Sequence, residues 1–125
     1  MSVFGIGIDI VELKRVDQIY SKYGDKFAKK ILSNSELKNF QVSNDKISFL
    51  AKRFAAKEAV GKALGIGILN GILLKNIFIT HDSLGKPLVK INNIKKLKLH
   101  LDKIIHISIS DEKKYAVANA IILNK

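Results

Sequence analysis

The chain has 125 residues, of which 47% are hydrophobic, and this suits a single domain over residues 1–125. It contains no cysteine, which excludes a disulfide framework, a thiolate zinc site and a cysteine nucleophile. The sequence predicts no signal peptide and no membrane-spanning helix, so we expect a cytoplasmic protein. The net charge of +11 indicates an anionic partner: nucleic acid, an anionic membrane surface, or an acidic protein with a phosphorylated small molecule.

The first half of the sequence predicts one strand followed by helices. The apolar run Val3–Ile8, which contains two glycines, predicts a buried strand that ends at Asp9. Apolar residues at helical spacing predict a helix over Glu12–Tyr23, which Gly24 ends. Three further helices are predicted over Lys26–Leu32, over Leu37–Val42 after a polar cap that precedes Glu36, and over Asp45–Leu64, where Gly65 closes the longest helix of the chain.

The second half predicts mainly strands. Glycines at Gly65, Gly67 and Gly71 predict a loop after the long helix. Strands are predicted over Asn76–His81, Leu88–Ile91, Ile104–Ser110 and Tyr115–Leu123, with a lysine-rich helix over Asn93–Asp102. The predicted fold class is therefore α+β, with a long central helix packed on a small, mainly antiparallel sheet.

Two carboxylates are candidates for metal ligands. Glu58 shares a helix face with Leu50 and Phe54, where an unpaired charge is costly, but an ion pair with Lys62 four residues on, or an edge position that reaches solvent, would also explain it. Asp9 follows an apolar strand, and it could equally cap the helix after it. Together they offer two hard oxygen ligands on separate elements, which suits magnesium with water and substrate phosphates.

Basic residues on the long helix are candidates for phosphate binding. Arg53, Lys57 and Lys62 could contact phosphate, or they could form a solvated basic face. The Gly65–Gly67 loop could bring backbone amides to an anion, whereas Gly85–Pro87 is by itself an ordinary turn. The residues alone leave these alternatives open.

Two segments resemble the signatures of the holo-acyl-carrier-protein synthases, the short, single-domain family of 4′-phosphopantetheinyl transferases. The run from Gly5 to Arg15 is similar to the first signature, and the long run from Phe49 to Gly65 is similar to the second. Further matches follow in the family's order at Phe27–Leu32, Ser35–Leu37, Gly85–Pro87, Ser108–Ser110 and Tyr115–Ala116. The resemblance covers nearly the whole chain and implies a 4′-phosphopantetheinyl transferase-like fold.

The resemblance implies an enzyme of fatty acid biosynthesis that transfers 4′-phosphopantetheine from coenzyme A to a serine of apo acyl carrier protein, with adenosine 3′,5′-bisphosphate as the second product. The family's magnesium-binding residues fall on Asp9 and Glu58, and its signature lysine falls on Lys62, where it would neutralise pyrophosphate charge. These three are the expected catalytic residues. The expected coenzyme A contacts are Arg53, Lys62, Gly65, Lys86 and Pro87.

The resemblance also implies a homotrimer with active sites in the clefts between neighbouring subunits. The basic face of the first helix, with Lys14, Arg15 and Lys22, would dock the acidic recognition helix of the carrier protein. The net charge of +11 then reflects two anionic substrates, and we expect neither nucleic acid nor membrane as a partner.

Two alternatives remain: a basic nucleic-acid-binding module without activity, and a catalytically inactive relative. The second arises because the family commonly has histidine after the Ser-x-Ser strand, where this chain has Asp111. The Gly-Thr-Gly that often follows the long helix is also changed, to Gly65-Ile66-Gly67. Neither change affects Asp9 or Glu58.

Overall fold

The computed structural model describes residues 1–65, 72–92 and 103–125. The loop glycines Gly67 and Gly71 and the helix predicted over Asn93–Asp102 lie outside the described residues. The helices are α1 (Leu13–Tyr23), α2 (Asp25–Ile31), α3 (Asn34–Gln41), α4 (Lys46–Leu64) and α5 (Ile72–Asn76). The strands are β1 (Val3–Glu12), β2 (Ile77–His81), β3 (Pro87–Ile91), β4 (Lys103–Asp111) and β5 (Tyr115–Asn124).

The described strands form two antiparallel sheets. One has the order β1-β5-β4, so that β5 lies in the centre, and the other is the β2-β3 hairpin. The 19-residue helix α4 packs on β1 and β5. The architecture confirms the predicted α+β class, with a long helix on a small antiparallel sheet.

Glycines on β1 allow α4 to lie very close to the sheet. A Cβ atom added at Gly5 would overlap the backbone carbonyl of Ala63, and one added at Gly7 would overlap that of Ala59. On β5, Gly7 is paired with Ala120, another small residue. Because side chains alternate along a strand, Asp9 points to the same side of the sheet as Gly5 and Gly7, toward α4.

The helix separates two hydrophobic clusters. On the sheet side, alanines of α4 pack with Ile107 of β4 and Ile122 of β5. On the other side, Leu50 and Ala51 pack with Val16 of α1, Phe40 of α3 and neighbouring apolar residues. Both clusters bury aliphatic surface, which stabilises the fold by roughly 25 cal/mol per Å² removed from water.

Several boundaries differ from the sequence-based predictions. Strand β1 continues through Asp9 to Glu12, so Asp9 lies inside a strand and does not cap α1. Helix α5 was not predicted, because its five residues are too few to show helical periodicity, and its last residue, Asn76, was predicted as the start of a strand. Among the described helices, none is long and apolar enough to cross a membrane.

Candidate active site

The two carboxylate oxygens of Asp9 differ in their hydrogen bonding. Its side chain is 16% exposed, and Oδ1 accepts a hydrogen bond from Nζ of Lys62 at 3.1 Å. The other oxygen, Oδ2, is buried and has no hydrogen-bond partner within residues 1–65, 72–92 and 103–125. A buried carboxylate oxygen without a donor costs free energy, so this atom is a candidate ligand for a cation.

Glu58, on helix α4, lies near enough to Asp9, on strand β1, for the charge of Asp9 to affect it. Burial is the larger cause that raises the pKa of Glu58, and the negative charge of Asp9 raises it further, while Lys62 lowers it. The effect of Asp9 on this pKa means that the two carboxylates repel each other. A bound divalent cation would remove that repulsion.

Lys62 contacts β1. Its Nζ donates to the backbone carbonyl of Ile8 at 2.9 Å and to Asp9, and its side chain is 54% exposed. The ion pair between Glu58 and Lys62 considered from the sequence is not found among the described contacts. Lys62 therefore bridges the helix to the strand, next to Asp9, with part of its side chain open to solvent.

The carboxylate oxygens of Asp9 and Glu58 fit a hard cation. Asp9 Oδ2 and the Glu58 carboxylate supply two oxygen ligands on a strand and a helix. No group of three or more His, Cys, Asp or Glu side chains that could hold a metal occurs in the described part of the chain. Two carboxylates with room for water and phosphate are the ligand set that magnesium commonly uses, and soft or nitrogen-rich metal sites look different.

Arg53 lies apart from this pair. It precedes Glu58 by five residues, which is ~7.5 Å along the helix and about 140° around it. Its guanidinium stacks over the ring of Phe49 at 4.6 Å. Burial lowers the pKa of His81 most, and the charges of Arg53 and Lys52 lower it further, so Arg53 faces the end of β2.

That end of β2 is where Pro87 is located. His81 is paired with Pro87 in the β2-β3 register, and Lys86 immediately precedes it. The structure thus brings Arg53, Lys86 and Pro87 to one region. Gly65 is the left-handed C-cap of α4, 12 residues after Arg53 and so ~18 Å away along the helix. The expected coenzyme A contacts therefore form at least two groups in one copy of the chain.

A buried cluster that the sequence did not reveal lies beneath Arg53. Lys57 is fully buried, and its Nζ donates to Glu36 Oε1 at 2.6 Å and to the carbonyls of Ile31 and Leu74. Burial lowers the pKa of Lys57 to about 8, although Glu36 acts in the opposite direction. The interpretation of Arg53 and Lys57 as a solvated basic face is therefore wrong. Lys57 is spaced seven residues from Leu50 and from Leu64, and residues seven apart lie on the same face of a helix. This spacing is the sequence signal that could have indicated the burial of Lys57.

A cleft of about 510 Å³ joins Asp9 to helix α1. Its walls include Val16, Ile19 and Phe54, and Arg15 lies at its edge. The three docking candidates, Lys14, Arg15 and Lys22, are all exposed on α1. Arg15 of this basic helix surface therefore lines the same cleft as Asp9.

Asp111, the departure from the family pattern, is hydrogen-bonded within the chain. Its Oδ2 accepts from Ser48 Oγ at 2.9 Å, which joins the end of β4 to the first turn of α4. This contact gives Asp111 a structural partner, Ser48, which precedes Arg53 by five residues on α4.

The fold is that of a known class of transferase. A sequence profile of the 4′-phosphopantetheinyl transferase superfamily matches residues 5–120. The chain therefore belongs to this superfamily.

Individual relatives agree with that assignment. The chain is 49% identical to a holo-[acyl-carrier-protein] synthase of Buchnera aphidicola subsp. Acyrthosiphon pisum (strain Tuc7) over an alignment of 126 residues, which covers 99% of this chain and 100% of the relative. The crystal structure of the holo-[acyl-carrier-protein] synthase from Neisseria meningitidis superposes with a TM-score of 0.86 and 37% identity, and covers 98% and 99% of the two chains. The synthase from Bacillus anthracis in complex with CoA (3′,5′-ADP) superposes with a TM-score of 0.84 and 34% identity over 100% of both chains.

Proposed function

We propose that the protein transfers the 4′-phosphopantetheine group of coenzyme A to a serine hydroxyl of apo acyl carrier protein. The serine oxygen forms a bond to the β-phosphorus of coenzyme A and gives up its proton, and the bond from that phosphorus to the bridging oxygen breaks. Adenosine 3′,5′-bisphosphate leaves. Family membership supports this reaction, and so does the observation that Asp9 Oδ2, near Glu58, is buried without a hydrogen-bond partner among the residues that the structure describes.

Asp9 and Glu58 would hold Mg²⁺ in this account. When bound, the cation supplies charge stabilisation to the phosphoryl oxygens and can acidify bound water. The chain's own contribution is to hold the two carboxylates in a fixed, partly buried position between β1 and α4. The close approach at Gly5 and Gly7 supports this role because it lets α4 pack directly on β1, which brings Glu58 of the helix near Asp9 of the strand.

Lys62 and a second set of residues, near the end of β2, would bind coenzyme A. Lys62 supplies a flexible point charge beside Asp9, which suits the pyrophosphate. Arg53, Lys86 and Pro87, near the end of β2, and Gly65, at the end of α4, complete the proposed contacts. Because Gly65 and Arg53 are far apart along α4, the substrate spans a long path or lies between two copies of the chain.

The carrier protein would dock on α1. Lys14, Arg15 and Lys22 present positive charge beside the cleft that leads to Asp9. An acidic helix of the carrier protein would be steered to this surface and would bring its serine to the carboxylate pair. We place the reaction in the cytoplasm and in fatty acid biosynthesis.

A homotrimer is part of the proposal. The side of β1 that faces away from α4 exposes Phe4, Ile6, Ile8 and Ile10, and Ile6 is 70% exposed. A row of large apolar side chains on an open sheet face is typical of a covered interface. Light scattering should give a mass three times that of the chain, and Ile6→Glu should reduce that mass and the activity together. A wild-type monomer with full activity would contradict the trimer.

Intact-mass spectrometry of apo acyl carrier protein tests the reaction. With wild-type enzyme, coenzyme A and Mg²⁺, we expect the carrier mass to rise by one phosphopantetheine group. The matched control omits Mg²⁺ and contains a chelator, and no mass change is expected. No addition under the complete condition would contradict the proposed function and would favour an inactive relative.

A further inference from the structure

The buried carboxylate of Glu36 is held on all sides. Glu36 is 1% exposed, and its backbone lies in the first turn of α3. Its Oε1 accepts from the backbone N–H of Ser33 at 2.9 Å and from Lys57 Nζ at 2.6 Å. Its Oε2 accepts from the backbone N–H of Ile79 at 3.2 Å and lies 3.1 Å from Arg53 Nε. The carboxylate is therefore fixed to α3, α4 and β2 together.

The cluster carries more positive than negative charge. Lys57 and Arg53 are cations and Glu36 is the anion, so the three side chains sum to +1. Lys57 has two further acceptors, the carbonyls of Ile31 and Leu74 near the C-termini of α2 and α5, where helix dipoles favour a cation. The surplus positive charge therefore belongs mainly to Arg53.

Arg53 is oriented from two directions. Phe49 supports one face of the guanidinium, and Glu36 Oε2 lies at its Nε edge. Nε is buried and forms no well-aligned hydrogen bond with described residues, so Glu36 holds this edge by charge. Phe49 and Glu36 together restrict the guanidinium, and the charge of Arg53 is felt at the end of β2 next to Pro87.

We propose that Glu36 is a positioning residue for coenzyme A, which orients the guanidinium of Arg53 toward an anionic group of that substrate, and that Lys57 in turn fixes Glu36. The inference rests on the proposed function, in which Arg53 contacts coenzyme A. An arginine that is pre-oriented loses less conformational freedom on binding phosphate than a mobile one. Glu36 itself need not touch the substrate.

Steady-state kinetics with coenzyme A and apo acyl carrier protein varied separately test this role. For Glu36→Gln we expect KM for coenzyme A to rise about 10-fold, in the range found when supporting residues of a site are changed. KM for the carrier protein and kcat at saturating coenzyme A should change less than twofold. An unchanged KM for coenzyme A, or equal increases in both KM values, would overturn the proposal.

A stability control comes from the same helix terminus. The Ser33 hydroxyl caps α3 by accepting from Glu36 N, and Ser33→Ala removes it without touching the Glu36 carboxylate. We expect this variant to lower the melting temperature by about 5 °C and to leave KM for coenzyme A unchanged. If Ser33→Ala raises KM for coenzyme A as Glu36→Gln does, the effect is general destabilisation and the proposal fails.

A double-mutant cycle with Arg53→Gln asks whether Glu36 acts through Arg53. Once Arg53 is replaced, Glu36→Gln should add little to KM for coenzyme A, whereas additive effects would contradict the proposal. If Glu36→Gln does not fold, Glu36→Asp retains the charge and shortens the side chain, and the same rise in KM and the same cycle are expected. Wild-type turnover is measured first, so failure of the proposed function is seen separately as absence of transfer.

Discussion

Helix α4 contributes to two carboxylate clusters that are completed in opposite ways. Around Glu36 the chain itself supplies every partner: two backbone amides, Lys57 and Arg53. Around Asp9 it supplies Lys62 to one oxygen and leaves Oδ2 buried without a hydrogen-bond partner in the described residues. The fold satisfies the Glu36 carboxylate completely, so that it needs no external ion, whereas the incomplete Asp9 carboxylate beside Glu58 is the basis on which we propose a bound cation.

The comparison predicts different costs for substitutions in the two clusters. Changes at Asp9 and Glu58 should reduce activity and leave stability intact, since the fold gains little from these carboxylates without a cation. Changes at Lys57 should mainly reduce the free energy of unfolding, since they leave the buried charge of Glu36 with fewer partners.

The largest expected effect is on turnover. Asp9→Asn and Glu58→Gln should each lower the transfer rate about 1,000-fold, roughly 4 kcal/mol of transition-state stabilisation. Circular dichroism and melting temperature in metal-free buffer should match the wild type. The control Asp25→Asn removes an exposed carboxylate on α2 and should keep full activity. Near-normal turnover of either site variant would remove the basis for the metal assignment.

Lys57→Met should have the next largest effect. Removing this cation leaves Glu36 buried with one charged partner, and we expect a loss of about 3 kcal/mol in the free energy of unfolding. Urea denaturation measures it. Lys38→Met, at an exposed position of α3, is the control and should change stability by less than about 0.5 kcal/mol. A comparable loss in both variants would contradict the structural role of Lys57.

Gly7→Ala should affect stability and activity together, because it moves β1 relative to α4. The added methyl group would overlap the carbonyl of Ala59, and we expect about 2 kcal/mol of destabilisation. Activity should fall as well, since the shift separates Asp9 from Glu58. A variant that is as stable as the wild type would show that the contact between strand and helix is looser than described.

The smallest effect is expected at the hydrogen bond between Ser48 and Asp111. Ser48→Ala should cost about 1 kcal/mol in the free energy of unfolding, with turnover within about twofold of wild type. A large loss of turnover at unchanged stability would instead place Asp111 in the reaction, as a replacement for the histidine of relatives.

The fold was largely predictable, because long periodic segments determine it. The strand β1 and the β4-β5 hairpin follow from apolar runs and alternation, and the helix α4 follows from its helix-forming composition and from the glycine that ends it. The C-terminus of β1 was predicted too early, since Asp9 looked like the end of an apolar run although the pairing with β5 continues beyond it. Strand ends depend on partners that one segment does not reveal.

The candidate site was predictable only in part. Asp9, Glu58 and Lys62 were identified because two signatures carry them, whereas their spacing alone left ordinary alternatives open. The cluster around Glu36 was missed, because its four partners come from α3, α4 and β2 and meet only in the folded chain. The sequence predicted a polar cap ahead of Glu36, and the structure contains a capping box between Ser33 and Glu36, but a cap does not reveal that its glutamate is buried.

Calorimetric titration of Mg²⁺ into the protein saturated with coenzyme A tests the central claim most directly. The account predicts one Mg²⁺ site per chain in the wild type and no detectable site in Asp9→Asn or Glu58→Gln, with Asp25→Asn behaving as the wild type. Unchanged Mg²⁺ binding in both site variants would contradict it, because the carboxylate pair between β1 and α4 would then not hold the cation.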